Sequence, residues 1–156
     1  ILVDSREHET AKYHQRIDQF GCPVIKTKLD FGDYSAQCTL PSGVIFSLTD
    51  IAVAERKMSL AEICGNFTTH RERFAGEFSR ATDKGTKVYI IIEQASWEKA
   101  YSGYYRSQMK PAALVASLTA WMVRYDAPVL MCSPDTSAKL IRDILYREMS
   151  EALRAL

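Results

Sequence analysis

The triplet Glu55-Arg56-Lys57 places a carboxylate and two cations at the end of an apolar run, residues 51–54. If this segment is one strand, its side chains alternate between two faces, so Glu55 and Lys57 share a face with the two β-branched residues of the run. Arg56 then lies on the opposite face. Burying a carboxylate or an ammonium group costs several kcal/mol unless the group is paired or binds a metal. The pattern therefore predicts that something on the inner face uses the charges of Glu55 and Lys57.

Further carboxylates come near the ends of other predicted strands. Asp4 and Glu7 follow the first strand, Asp33 lies where the third begins, and Glu93 ends the apolar strand of residues 87–92. In open α/β sheets, ligands collect at the carboxyl ends of strands. Carboxylate oxygens are the ligands that Mg²⁺ prefers, and Mg²⁺ needs only a few of them because it keeps waters and substrate phosphate.

A metal held by Asp33 and Glu55 would acidify its bound water and offset charge on phosphate oxygens. Lys57, on the same strand face as Glu55, could contact the attacking water or the scissile phosphate. The set therefore fits metal-dependent hydrolysis of phosphodiesters. A plainer interpretation stays open, in which the acids are scattered over the surface and Glu55 and Lys57 form a salt bridge.

The elements that must position these residues alternate in type along the chain, which indicates a mixed α/β sheet with helices on both faces. Predicted strands cover residues 1–3, 24–29, 32–40, 44–48, 51–57, 87–92 and 129–132. Predicted helices cover roughly residues 8–20, 60–64, 69–81, 97–101, 111–125 and 135–153, the last capped by Asp135 or Thr136.

The composition is that of an ordinary globular domain: 156 residues, 47% hydrophobic and 25% charged, with a formal net charge of +1. Bulk charge therefore indicates neither a nucleic-acid nor a membrane partner. No apolar stretch approaches the ~18 residues that a membrane helix needs, so we expect no membrane association. The four cysteines are widely spaced, which favours reduced thiols in the cytoplasm, or in the nucleus of a eukaryote. Zinc-hydrolase, P-loop, dinucleotide-binding and nucleophile-elbow motifs are absent.

Three motifs, in their order and spacing, resemble the XPF-type structure-specific DNA nucleases: Val3-Asp4-Ser5-Arg6-Glu7, Gly32-Asp33-Tyr34 and Glu55-Arg56-Lys57. That family's pattern reads Val-Asp-x-Arg-Glu, then Gly-Asp-Tyr, then Glu-Arg-Lys with an Asp after three more residues. The similarity extends to about residue 135, and residues 105–107 and 117–121 are similar to the small, stand-alone bacterial and phage members. The resemblance implies a restriction-endonuclease-like α/β fold and one nuclease domain over residues 1–156.

The resemblance also implies roles for individual residues. Asp33 and Glu55 are the principal ligands of Mg²⁺ or Mn²⁺, and Asp4 and Glu7 complete or support the site. Lys57 is the catalytic lysine. The implied substrate is branched or otherwise distorted DNA, and the implied assembly is a homodimer paired through the last helix, about residues 135–153. Core packing is the default interpretation of the apolar residues of that helix.

Arg71 matches an arginine that the family carries on the helix after the triplet. It lies four residues after Phe67 and three before Phe74, so helical spacing predicts that it points inward with this aromatic stripe. Two roles stay open for it: binding substrate phosphate, or a structural ion pair with a carboxylate of the site.

The chain departs from the family pattern at Ala61, where the family has Asp. Three interpretations stay open: Glu62 substitutes through a shifted register, the site is impaired, or the alanine was engineered to trap substrate. Ala61 also favours an alternative function, a catalytically silent module that binds DNA or a partner. An RNA nuclease is a third possibility, because a metal-hydrolysis site does not by itself distinguish sugars.

An aromatic and basic stretch lies between the sixth strand and the long helix that begins at Pro111. It contains three tyrosines with three nearby cations: Tyr101, Tyr104, Tyr105, Lys99, Arg106 and Lys110. Such a stretch could stack on a DNA strand and neutralise its phosphates. It could equally be an ordinary surface loop.

Overall fold

A computed structural model describes residues 1–156 and has eight strands and six helices. The strands are β1 (Leu2–Asp4), β2 (Ile25–Thr27), β3 (Tyr34–Ser35), β4 (Gln37–Thr39), β5 (Ile45–Ser47), β6 (Ala52–Lys57), β7 (Lys87–Glu93) and β8 (Val129–Cys132). The helices are α1 (Ala11–Phe20), α2 (Leu60–Phe67), α3 (Arg71–Lys84), α4 (Trp97–Ser102), α5 (Pro111–Arg124) and α6 (Pro134–Arg154).

The predicted mixed sheet is confirmed. Six strands are arranged in the order β2-β1-β3-β6-β7-β8, with β4 and β5 forming a separate hairpin. Strand β6 is antiparallel to β3 and parallel to β7, which in turn is parallel to β8. The sheet therefore brings Asp4, which ends β1, and Asp33, which precedes β3, beside the strand that carries the triplet.

Helices cover both faces of the sheet, as predicted, and each face has its own apolar cluster. One cluster contains Val53 of β6 and is covered by α2, α3 and α5, with Trp121 at its centre. The other contains Ala54 and is covered by α1 and α6. Successive residues of β6 thus point into different clusters, which is the alternation expected of a strand buried on both sides.

Several predicted boundaries are wrong, among them the end of α2, which extends to Phe67, and the ends of β2, which covers only Ile25–Thr27. The strand over residues 32–40 is divided into β3 and β4, which belong to different sheets. Helix α1 begins at Ala11 rather than near residue 8, because the Thr10 side chain accepts a hydrogen bond from Tyr13 N and caps the helix there. Ser133 occupies the N-cap position of α6 and Pro134 its first turn, so neither Asp135 nor Thr136 caps this helix.

Helix α6 packs its apolar face against the rest of the chain. Ile141 and Leu145 are fully buried and Met149 nearly so, within the cluster that contains Val3 and Tyr34. This confirms core packing as the role of these residues. None of the helices combines the length and the apolar character that crossing a membrane would require.

Candidate active site

Asp33 is held at the centre of the sheet by a glycine that no other residue could replace without strain. Gly32 has φ +66°, and a Cβ there would lie 2.9 Å from Val53 Cγ2 and 3.0 Å from the Ala54 carbonyl oxygen. The close approach lets Asp33 N donate to Ala54 O at 2.8 Å. The Asp33 Oδ2 atom in turn accepts a hydrogen bond from Arg56 N at 2.8 Å.

Glu55 and Lys57 are buried on the inner face of β6, as their spacing predicts, with 8% and 6% of their surface exposed. Lys57 Nζ donates to Glu55 Oε1 at 2.9 Å and lies 5.2 Å from the centre of the Phe74 ring. The salt bridge that the plainer interpretation predicted is therefore present. Although burial alone would lower the pKa of Lys57, the Glu55 carboxylate raises it, so the amine is positively charged at neutral pH.

A cavity of about 400 Å³ opens beside this pair, and no hydrophobic residue lines it. We call it the acid-lined cavity. It is lined by Asp4, Arg6, Glu7, Asp30, Gly32, Asp33, Glu55, Arg73, Glu77 and Arg80. The fold thus brings together all four predicted metal ligands, and Lys57 is hydrogen-bonded to one of them.

The carboxylates of the acid-lined cavity repel one another. Loss of hydration by burial, followed by the charges of Glu55 and Glu7, raises the pKa of Asp33 well above its ordinary value. Burial also raises the pKa of Glu55, to about 7, against the opposing effect of Lys57 and with a further contribution from Glu77. A bound cation would relieve this repulsion and favour the ionised carboxylates.

Asp33 and Glu55 each retain an oxygen for a metal. The Oδ1 atom of Asp33 and the Oε2 atom of Glu55 accept no hydrogen bond, because the donors described above bind the other oxygen of each carboxylate. The side chains are not arranged as a closed cage, since no group of three or more metal-binding residues converges. Two free carboxylate oxygens in a polar cavity nevertheless fit Mg²⁺ or Mn²⁺, which bind through few protein ligands and keep several waters.

The structure gives less support to Asp4 and Glu7 as metal ligands than to Asp33 and Glu55. Both oxygens of Asp4 accept hydrogen bonds from Arg6, at 2.9 and 2.6 Å. Burial would raise the pKa of Asp4, but these hydrogen bonds outweigh it and lower the pKa. Glu7 accepts no hydrogen bond, and its nearest cation is Arg16, at 3.6 Å. Of these two residues, Glu7 is therefore the one free to approach an ion.

Sequence reasoning missed the residues that α3 contributes. Arg73, Glu77 and Arg80 line the acid-lined cavity and follow one another at the spacing of a single helix face. Glu77 Oε1 accepts a hydrogen bond from Gly32 N at 3.3 Å, which ties α3 to the loop that carries Asp33. Neither arginine forms an ion pair with a carboxylate of this chain.

The predicted orientation of Arg71 is confirmed in part, because its guanidinium lies against the aromatic cluster although the residue as a whole is exposed. Arg71 is exposed, and its Nη1 atom donates to the Phe67 carbonyl and to Ser117 Oγ, both at 3.1 Å. Its guanidinium lies 5.1 Å from the Trp121 ring. It is not among the residues that line the acid-lined cavity, so it pairs with none of the site carboxylates.

Glu62 serves as a helix cap. Ser59 Oγ accepts a hydrogen bond from Glu62 N at 3.2 Å, and Glu62 Oε2 accepts one from Met58 N at 2.7 Å. This reciprocal arrangement is close to a capping box. It engages one oxygen of Glu62 at the start of α2. Glu62 does not line the acid-lined cavity, but its charge raises the pKa of both Glu55 and Lys57, so its substitution for the missing aspartate stays a prediction.

On the opposite face of β6, Arg56 and Glu93 form a buried ion pair. Arg56 Nε and Nη2 donate to the two oxygens of Glu93 at 2.7 and 3.0 Å, and Ser137 Oγ donates to Glu93 Oε1 at 2.5 Å. Glu93 is thereby assigned to the face covered by α1 and α6. It does not reach the acid-lined cavity.

A mixed sheet with helices on both faces is the fold of an XPF-type nuclease domain. The family model of the ERCC4 domain matches residues 3–144. The chain therefore belongs to the ERCC4 domain family, which confirms the resemblance drawn from its motifs. No curated protein matches the chain in sequence at a significant level.

The solved structures that share its fold include two of XPF from Aeropyrum pernix. XPF from Aeropyrum pernix has a TM-score of 0.64 at 20% identity, over 93% of this chain and 59% of that one. XPF from Aeropyrum pernix in complex with DNA has a TM-score of 0.64 at 21% identity, over 97% of this chain and 64% of that one. The chain thus spans about three fifths of the length of these relatives.

Proposed function

We propose that this domain is a metal-dependent DNA endonuclease that hydrolyses phosphodiester bonds in branched or distorted DNA. The observation that carries the proposal is the pair of free carboxylate oxygens, on Asp33 and Glu55, beside the buried ammonium group of Lys57. Membership of the ERCC4 domain family supports nuclease chemistry. The related XPF from Aeropyrum pernix, solved in complex with DNA, supports a DNA substrate.

Each residue of the site has a distinct task in this proposal. Asp33 and Glu55 hold a Mg²⁺ or Mn²⁺ ion, with Glu7 in support. The ion, when bound, acidifies a water molecule and offsets charge on the phosphate. Lys57 donates a hydrogen bond to the attacking water or to a phosphate oxygen, and Asp4 acts indirectly by fixing Arg6 at the rim of the acid-lined cavity.

A cleavage assay on an end-labelled splayed duplex tests the proposal. We expect the wild-type protein to nick this substrate with Mg²⁺ or Mn²⁺ and to be inactive in excess EDTA. Glu55→Gln keeps the size of the side chain but removes the charge, so cleavage should fall by at least ~100-fold. Asp30→Asn, at the rim of the same cavity, is the matched control and should keep its activity. Cleavage that persists in EDTA, or in Glu55→Gln, would contradict the proposal.

Ala61 favours a second candidate function, a catalytically silent module that binds DNA. The discriminating variant is Ala61→Asp. An aspartate in the first turn of α2 also suits the helix dipole, so the variant should fold. A large gain in nuclease rate indicates that the natural site is impaired at this position. Absence of cleavage in both proteins, with DNA binding intact, would establish the silent module.

A further inference from the structure

The segment of residues 101–106, which we call the tyrosine loop, exposes two aromatic rings. Tyr101 and Tyr104 have 66% and 74% of their surface accessible to solvent. Among the other aromatic residues of the chain, only Tyr146 on α6 is comparably exposed. Such exposure forgoes the free energy that burying an aromatic ring would supply. The folded chain alone therefore gives these two rings no packing role.

The tyrosine loop is held in one conformation by its own contacts. Gly103 has φ +77°, which ends α4 and turns the chain. Tyr104 N donates to Lys99 O at 3.0 Å, and the Tyr105 hydroxyl donates to Met109 O at 2.7 Å. Tyr105 also packs against the apolar cluster around Trp121. The exposed rings are thus carried by a fixed loop, and little conformational entropy is lost when a ligand binds them.

One cation contacts an exposed ring, and two further cations lie close in sequence. Lys99 Nζ lies 5.8 Å from the centre of the Tyr104 ring, and Arg106 and Lys110 are exposed and form no ion pair. A depression of about 350 Å³ is lined by Gly103, Tyr104, Tyr105 and Arg106. Aromatic faces for bases combined with cations for phosphates are the features that bind a single nucleic-acid strand.

Hydrogen bonds connect α4, which leads into the tyrosine loop, to the end of the strand that carries the triplet. Met58 directly follows Lys57, and its carbonyl accepts a hydrogen bond from Gln94 Nε2 at 3.5 Å. The Gln94 carbonyl accepts one from Lys99 Nζ, also at 3.5 Å. Gln94 has φ +52°, an uncommon conformation for a residue other than glycine. The loop therefore lies at the carboxyl edge of β6 and β7, where the triplet also ends.

We propose that the tyrosine loop binds the unpaired strand of the substrate by stacking bases on Tyr101 and Tyr104. Arg106 and Lys110 neutralise the phosphates of that strand. The inference rests on the proposed function for the identity of the ligand, and it assigns the unpaired strand to this particular surface of the domain.

Fluorescence anisotropy with the full chain tests this inference. The probes are a labelled oligothymidylate and a blunt duplex, both in EDTA so that no cleavage is needed. We expect the double variant Tyr101→Leu/Tyr104→Leu to bind the single strand about tenfold more weakly, because each ring stacks on a base. Binding to the blunt duplex should change by less than about twofold. Tyr101→Phe/Tyr104→Phe keeps both rings and should bind as the wild type does.

A third variant, Tyr146→Leu, removes the exposed tyrosine of α6 and should leave binding to both probes unchanged. Equal losses for the single strand and the duplex, unchanged affinity in the leucine variant, or weak binding in the phenylalanine variant would each overturn the inference. The result of this binding experiment can be distinguished from a failure of the proposed nuclease function. A protein that binds the single strand through its tyrosines but never cuts would overturn the nuclease proposal alone.

Discussion

Among the carboxylates of the acid-lined cavity, Asp33 and Glu55 differ from Asp4 in having an oxygen to spare. Asp4 gives both of its oxygens to Arg6, whereas Asp33 and Glu55 each accept one hydrogen bond. Burial is the main cause of the raised pKa values of these two residues, and neighbouring carboxylates raise them further. A bound divalent cation would favour the ionised form of both groups.

The unfavourable burial of the Asp33 and Glu55 carboxylates leads to a prediction about thermal stability. In the wild-type protein we expect Mn²⁺ to raise the melting temperature, since an ion bound only by the folded state at 100 times its Kd contributes about 2.7 kcal/mol. Asp33→Asn should be at least as stable without metal and should gain little from Mn²⁺. Differential scanning calorimetry with and without Mn²⁺ measures both effects. An equal gain in Asp33→Asn would contradict the assignment of this ligand, and Asp30→Asn is the control.

The lowered pKa of Glu93 leads to a prediction about how the stability of the protein depends on pH. Burial would raise its pKa, but hydrogen bonds from Arg56 and Ser137 outweigh burial and lower it. A carboxyl group with a lower pKa in the folded state stabilises the protein above its ordinary pKa of 4.5, and this contribution is lost as the pH falls. Glu93→Gln should cost about 3 kcal/mol at pH 7, because the variant leaves Arg56 without its charged partner.

Urea denaturation between pH 3 and pH 7 measures this contribution. The stabilities of the wild type and of Glu93→Gln should converge as the pH decreases. A constant difference at every pH would show that the lost interaction does not depend on ionisation. Glu98→Gln is the control, because Glu98 is exposed and forms no ion pair.

At the scale of elements, α3 supplies the cations that the acid-lined cavity needs to approach a phosphate. Arg73 and Arg80 flank Glu77 on one face of this helix. We expect Arg73→Gln/Arg80→Gln to raise KM about tenfold with a smaller change in kcat, because two charged contacts to phosphate are lost. The variant should also show a weaker dependence of DNA binding on salt. Arg147→Gln on α6 is the control. A selective loss of kcat would instead indicate contact with the reacting phosphate.

Strand β6 was predictable from the sequence because two-residue alternation is a local property. The burial of Glu55 and Lys57, their shared face and the opposite orientation of Arg56 all follow from it. The Gly32-Asp33 motif was equally informative, since the backbone of this glycine requires positive φ and close contact with Val53. The cap of α2 is also a local feature, because a serine three residues before a glutamate is the spacing of a capping box.

Helix α3 was less predictable because its contacts are not local. The inward orientation of Arg71 was inferred partly by counting from Phe67, which belongs to α2, and residues 68–70 separate the two helices. Arg71 is the first residue of α3, so its side chain extends past the helix end to Ser117. Conversely, Arg73, Glu77 and Arg80 have the spacing of a solvated face. Only tertiary contacts of α3, such as the hydrogen bond between Glu77 and Gly32 N, turn that face toward the carboxylates.

At the scale of the whole molecule, the two faces of the sheet carry different groups of residues. The face covered by α2, α3 and α5 carries the acid-lined cavity and the tyrosine loop. The face covered by α1 and α6 contains the Arg56–Glu93 pair and the second apolar cluster. Because Arg56 N also donates a hydrogen bond to the Asp33 carboxylate, the residue that forms the ion pair on the second face also orients a proposed metal ligand on the first.

Helix α6 therefore belongs to the core of the chain, and this bears on the homodimer, which stays a prediction. Leu145 is fully buried within the chain, so Leu145→Ala should cost about 2–5 kcal/mol of unfolding free energy through the cavity it leaves. Tyr146→Ser, at the exposed neighbouring position, should change stability by less than about 0.5 kcal/mol in a monomer.

Thermal unfolding over a 100-fold range of protein concentration distinguishes a homodimer from a monomer. A homodimer paired through α6 has to use the outer face of this helix, since the apolar face is already covered. Its melting temperature would rise with concentration, and Tyr146→Ser would abolish that rise while leaving the loss in Leu145→Ala intact. A melting temperature independent of concentration in the wild-type protein would contradict the dimer. It would leave α6 as a purely internal support for the sheet that carries the site.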